Sequence, residues 1–180
     1  MNRAGLWDDF FQAFAGLRRD PEQSIHQAQL CDRGMSANPA SAAEWRVAEK
    51  MDRESSWLDV PDKSIDECDA ALSFFSPESW RFYIPAYIRR SLERFRPPQP
   101  DERLLLSVLF HLTLRDASNS YTLDRYRSLD ALQHRAIAHF LRLVEHEALA
   151  LVEETNDYYE VYDAAKNALH SYWAVEPRGT

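Results

Sequence analysis

Apolar residues recur at three- and four-residue spacing from the start of the chain. Leu6, Trp7, Phe10, Phe11, Phe14 and Leu17 keep that rhythm, which predicts an amphipathic helix. Asp20-Pro21-Glu22-Gln23 combines an N-cap, a proline at the first helical position and a Gln at the capping-box position. It predicts a second helix running to about Leu30 and stopping near Gly34. Asn38-Pro39 repeats the device and opens a polar helix through Trp45, Val47 and Met51. Ser55 to Pro61 is expected to be extended, because a residue before proline is pushed out of the helical region.

Ser64 with Glu67 reads as another capping box, followed by Ile65, Cys68, Leu72 and Phe75 on one face. Ser76-Pro77-Glu78 caps the next helix, which carries Trp80, Phe82 and Tyr83. Pro85 removes a helical hydrogen bond, so a break or kink is expected at Tyr83–Ile84, with Tyr83 and Tyr87 turned to the core. Arg96-Pro97-Pro98-Gln99-Pro100 reads as a stiff connector. Leu105, Val108, Leu109 and Leu112 mark a further helix, residues 118–127 read as a loop, and Ser128 as the cap of a long helix through Phe140 and Val144. The last helix is expected from near Asp157, with Glu160 at the capping-box position. The pattern predicts a mainly α fold: one compact multi-helix domain over residues 1–180, of about seven to nine helices, with a Pro-kinked central helix.

Glycine usage sharpens this picture. There are 4 glycines in 180 residues, and none lies between residues 35 and 178. Phosphate-cradling loops, dinucleotide folds and two-residue hairpins all need glycine where the backbone turns tightly or meets a ligand. A Walker loop, a Rossmann fingerprint and a strand-rich fold are therefore disfavoured. The 45% apolar and 28% charged content is that of a soluble globular protein, and no stretch is apolar enough for a membrane span. Acids among Met1 to Asp9 stand where a signal peptide has its apolar run, which predicts no export signal. Cys31 and Cys68 lack C-x-x-C spacing and read as free thiols in a reducing cytoplasm.

Candidate chemistry is sparse. His139 and His146 share a helix face, but the H-E-x-x-H spacing of a zinc helix is absent. His26 and His111 have no partner visible in the sequence. There is no G-x-S-x-G, the prominent serines stand at cap positions, and Cys68 falls on an apolar face. No catalytic, cofactor-binding or metal-binding residue is assigned, and neither cofactor nor metal is expected.

Charge is distributed unevenly. The formal total is −8, and Glu145 to Asp163 contains seven acids and no Lys or Arg. Tyr158, Tyr159 and Tyr162 are interleaved with them. Such a surface repels nucleic acid and attracts basic proteins, and tyrosines suit a contact surface. Glu153, Glu154, Asp157, Tyr158, Tyr159 and Glu160 are the candidate partner-binding residues. Arg81, Arg89, Arg90, Arg94 and Arg96 form a basic stripe, for which pairing with acids of the same fold is one reading.

Trp57-x-x-Val60-Pro61, the tract Leu72-x-Phe74-Phe75-x-Pro77-Glu78-x-Trp80-Arg81-Phe82-Tyr83-Ile84-Pro85-Ala86-Tyr87, Leu129-x-x-Leu132-Gln133 with Phe140-Leu141, and Ala168-Leu169-x-x-Tyr172-Trp173 together resemble a family of uncharacterised bacterial proteins, a domain of unknown function. The resemblance covers residues 55–173 and implies a compact helical domain without an established chemistry. Small acidic bacterial proteins of this kind are similar in character to immunity proteins, which neutralise toxins by tight binding. The leading expectation is a non-enzymatic cytoplasmic protein-binding domain whose partner is a basic, toxin-like protein, with nucleic acid and membrane disfavoured. The alternative is a ligand-binding protein or enzyme with an aromatic-lined pocket around Trp80–Tyr87.

Overall fold

Two buried aromatic clusters organise the chain, one built on residues 75–87 and one on residues 126–173. The computed structural model describes residues 2–34, 40–96 and 100–174. The fold is mainly α, as the apolar periodicity predicts. Among the described residues there are nine α-helices and no strand: α1 (Arg3–Ala13), α2 (Ile25–Gly34), α3 (Ala42–Met51), α4 (Asp62–Glu67), α5 (Pro77–Arg94), α6 (Arg103–Leu112), α7 (Ser120–Arg127), α8 (Ala131–Thr155) and α9 (Tyr159–Ala168). Short 3-10 turns at Trp57–Asp59 and Asp69–Ser73 and a π-helical turn at Leu169–Trp173 complete it. The residues group into two compact units, Gly16–Leu104 and Met1–Ala15 with Leu105–Thr180.

In the unit of Gly16–Leu104, α5 is the central element. Ser76 caps it as expected, its hydroxyl accepting from Ser79 N, with Pro77 in the first turn. Trp80, Phe82, Tyr83, Ile84, Tyr87, Ile88 and Leu92 are all buried. Phe75 stacks on Tyr83 with ring centroids 4.8 Å apart and meets Tyr87 edge-on at 6.3 Å. Of the break or kink expected at Tyr83–Ile84, the break is excluded, since α5 runs through as one 18-residue helix with Pro85 in its interior. A proline inside a helix forfeits a hydrogen bond, and burial of the apolar residues on both sides offsets that loss.

Several expected helix starts are displaced, each for a local reason. Asp20 makes a turn instead, accepting from Glu22 N, and α2 begins at Ile25 behind a reciprocal pair in which Ser24 N donates to Gln27 Oε1 and Gln27 N to Ser24 Oγ. Asn38 and Pro39 lie outside the described residues; α3 starts at Ala42 with a full capping box of Ser41 and Glu44. The Ser55–Pro61 tract is not simply extended, because Ser56 caps a 3-10 turn there. Ser64 lies inside α4, which starts two residues earlier, after Pro61. Much of the proline-rich connector, Pro97–Gln99, lies outside the described residues.

In the unit of Met1–Ala15 with Leu105–Thr180, α8 packs against α1 and α9. Leu6, Phe10 and Phe14 are buried, and Arg3 holds Glu147 through two bonds of 2.9 and 2.7 Å. The expected cap of α8 at Ser128 is replaced by Asp130 and Gln133 in a capping box; Ser128 ends α7 and donates to Arg125 O. The remaining end of Gln133 donates to Ala13 O at 3.0 Å, so one side chain both starts α8 and closes α1. Residues 118–127 are not a loop, since Asn119 caps α7 by accepting from Thr122 N. The π-helical turn places Trp173 Nε1 on Leu112 O at 2.7 Å and Ser171 Oγ under Leu114 N at 3.0 Å.

Tyr83 gives the core its sharpest test. Its hydroxyl accepts from Ile25 N and donates to the Glu54 carboxylate. Tyr83→Ala is expected to lower stability by about 3–5 kcal/mol in chemical denaturation. Tyr83→Phe keeps the ring and is expected to cost about 1–3 kcal/mol, because the start of α2 loses its acceptor.

Candidate functional site

The chain turns from α8 to α9 through two residues in the left-handed region. Asn156, with φ 58°, closes α8 by donating its N–H to Val152 O. Tyr158, with φ 66°, precedes α9, and Asp157 Oδ1 accepts from Tyr158 N at 2.8 Å. The start of α9 expected near Asp157 is thus two residues later, and the turn consumes the Asp157 side chain. A bulky residue at positive φ is rare and costs of order 1 kcal/mol. Tyr159 Oη donates to Asn156 Oδ1 at 2.9 Å, which ties the corner to itself.

All six partner-binding candidates sit on this corner. Glu153, Glu154, Asp157 and Glu160 are exposed, Tyr159 is 52% exposed and Tyr158 is half-buried. Among the described residues none of those four carboxylates enters an ion pair. The basic stripe behaves oppositely. Arg89 pairs with Asp62 and Glu93, Arg90 with Asp66 and Asp62, and Arg94 with Asp66 and Asp101. The Arg90 and Arg94 guanidiniums hold the Asp66 carboxyl below its usual range. Arg89, Arg90 and Arg94 of the stripe are therefore neutralised within their own unit, while the corner acids are not.

A second polar cluster, missed in the sequence, lies in the unit of Gly16–Leu104. His26 Nδ1 meets Asp52 Oδ1 at 2.6 Å, and His26 N donates to Asp52 Oδ2 at 3.1 Å. The Asp52 side chain is 1% exposed. Burial pushes its carboxyl up, but the bonds from His26 and Ser24 outweigh it and the net shift is downward. Asp52, then the Cys68 side chain, raise His26 to about 10, so the imidazole is a cation at neutral pH. Cys68, His26 and Asp52 follow the order of a thiol-nucleophile relay. Cys68 is 1% exposed, however, so the arrangement acts as a lock between α2 and the segments at Asp52 and Cys68. The aromatics around Trp80–Tyr87 are likewise fully buried and fill the core. Beside them an open cleft of about 570 Å³ has Arg19, Glu54 and Ser56 on its walls.

The other histidines each find a local role. His139 Nδ1 meets Asp9 Oδ2 at 2.6 Å, and His134 Nε2 lies 3.1 Å from Tyr126 O. Among the described residues no three His, Cys, Asp or Glu side chains form a group that could hold a metal ion. No helix among them is long and apolar enough to cross a membrane.

These features define a helical domain with an acidic, tyrosine-bearing corner, a basic stripe paired at Arg89, Arg90 and Arg94, and a buried ionic lock. The chain belongs to a family of unknown function, DUF6714, whose model matches residues 2–176. The match takes in the N-terminal helices, beyond the 55–173 stretch on which the sequence resemblance rests. No curated protein and no solved structure matches the chain.

The ionic lock has a pH signature. Because His26 is raised from 6.5 to about 10 in the folded chain, its contribution is present in full below pH 6.5 and is lost as pH rises through about 10. Thermal unfolding followed from pH 6 to 10 is expected to show falling stability across that window. His26→Ala leaves Asp52 buried without its cation and is expected to cost about 3 kcal/mol and to flatten the pH slope.

Proposed function

We propose that this is a protein-binding domain that presents the α8–α9 corner to a basic protein. One observation carries the reading: four exposed carboxylates outside the ion pairs of the described residues, Glu153, Glu154, Asp157 and Glu160, share a corner that also offers a half-exposed tyrosine. Exposed acids raise the encounter rate with a basic surface, and tyrosine supplies contact area at little entropic cost. The left-handed Asn156 and Tyr158 support it too, since backbone strain at a solvent-facing turn is a recurrent mark of sites that bind. In this reading the protein acts by binding rather than by catalysis, in the bacterial cytoplasm. The partner is a toxin-like basic protein, by analogy with immunity proteins; that analogy rests on size and acidity alone.

The test starts from a basic protein that co-purifies from the native host or is encoded beside this chain. Its association with the purified chain is expected to be fast at low salt and to slow as ionic strength rises, because charges farther apart than about 8–10 Å are screened. Reversing Glu153, Glu154 and Asp157 to Lys is expected to weaken capture, at a stability cost of about 0.5 kcal/mol or less for each glutamate and about 1 kcal/mol for Asp157, whose bond from Tyr158 N is lost. Unchanged affinity and unchanged salt dependence in that variant would make the corner an ordinary solvated turn.

A further inference from the structure

The connection from α6 to α7 encloses a cavity of about 250 Å³ whose walls include His111, Thr113, Arg115, Asn119, Thr122 and Arg125. We propose that this cavity binds a phosphoryl group, as inorganic phosphate or as the end of a small phosphate monoester.

Two guanidiniums reach it from different elements. Arg125 comes from α7 and is 4% exposed, with its Cζ 4.1 Å from the centre of the Tyr121 ring and a hydrogen bond to Tyr121 Oη. Arg115 comes from the exposed connector and lies over the Phe110 ring, 3.4 Å from its centre. Stacking of this kind fixes the plane of a guanidinium without using its N–H donors, as at Arg115, while Arg125 contributes its buried positive charge. Both positive charges bear on the same imidazole: burial first, then Arg125 and Arg115, pull His111 down to about 4. The ring is therefore neutral at neutral pH, and the potentials of the two arginines overlap at the cavity wall. Burial also pulls Arg125 down to about 10, a penalty that a bound anion would relieve.

The polar groups on the wall fit an anion with several oxygens. Asn119 uses its carbonyl oxygen on Thr122 N at 3.1 Å, which leaves the NH2 end of its amide as a donor. The Thr122 hydroxyl adds another, whereas Thr113 directs its hydroxyl proton to Leu109 O and offers lone pairs only. A carboxylate presents two oxygens, fewer than the Arg115 fork, an amide and a hydroxyl can engage; a tetrahedral phosphoryl group presents three or four. One wall group opposes the anion. Asp116 lies there, with Oδ1 accepting from Ser118 N at 2.8 Å and from Ser118 Oγ at 2.7 Å. Against it stand two arginines, so the wall carries a net positive charge in a chain of net charge −8. The volume holds roughly eight waters at about 30 Å³ each, enough for a monoester end and below the range of most drug-sized sites. Binding here needs no glycine loop, because side chains supply the donors that a P-loop takes from its backbone.

The experiment titrates the full chain with sodium phosphate, sodium acetate and sodium chloride at matched ionic strength. Backbone amide NMR shifts and the melting temperature are the readouts. Phosphate alone is expected to move the Asn119 and Thr122 amides saturably and to raise the melting temperature with concentration. Arg115→Gln, at an exposed position, is expected to keep the fold and weaken phosphate binding roughly tenfold or more, the loss of one charge-assisted contact. Thr122→Val supplies a second variant without a charge change, expected to weaken binding by a smaller factor. Arg125→Gln is not the deciding variant, since removing a buried cation perturbs the fold. Equal responses to chloride and phosphate, a site mapping elsewhere, or full phosphate affinity in Arg115→Gln would each overturn the proposal. An acetate response equal to that of phosphate would overturn the phosphoryl assignment.

Discussion

Four buried aromatic side chains hold the ends of helical segments through their polar tips, and much of the architecture depends on that constraint. Tyr83 Oη receives the N–H of Ile25 at the start of α2, and Tyr87 Oη donates to Cys68 O just past α4. Tyr126 Oη donates to His111 O and Trp173 Nε1 to Leu112 O, both in the last turn of α6. A hydroxyl or indole N–H inside an apolar core must be satisfied, and so must the open backbone groups at a helix end. Each bond meets both requirements at once. The chain has few glycines with which to close helices locally, and the aromatic core does that work from a distance. At the α8–α9 corner the helix closes differently, with Asn156 itself in the left-handed position.

The same constraint explains what was legible in the sequence. Helical class, the burial of Leu6, Phe10 and Phe14, the buried face of α5 and the cap at Ser76 follow from period and from short-range hydrogen bonding, and all are present, whereas Phe11 of the same periodic set is exposed and Leu17 lies beyond the end of α1. The misplaced starts at Asp20, Ser64 and Ser128 share a cause. Each was read from a side chain that could cap locally, while a competing local pair or a proline set the boundary elsewhere. At Pro85 the local rule left a break or a kink open, and the helix continues through it with Trp80 to Leu92 buried around it. The acidic corner was legible because its residues are contiguous. The pairing of His26 with Asp52, and the convergence of Arg115 and Arg125 on His111, were not, because only folding brings those residues together.

Electrostatically the chain separates three regimes. Arg89, Arg90 and Arg94 are absorbed by nearby carboxylates at the surface, where such pairs add little to stability but remove a positive field. His26 and Asp52 form an ion pair with one member fully buried, which makes their segment sensitive to alkali. The corner acids and the cavity arginines remain as fields of opposite sign facing outward and inward. Net charge alone would describe only the first of these fields.

Aromatic capping also bears on how the helices open. Helix ends ordinarily fray, and their terminal amides exchange with solvent through small local openings. The start of α2 and the last turn of α6 are instead tied to rings buried among other rings, so releasing the end means displacing Tyr83 in the one case and Tyr126 or Trp173 in the other. At those ends hydrogen exchange becomes a readout of core opening rather than of fraying, and the Ile25 amide reports on the packing of Tyr83.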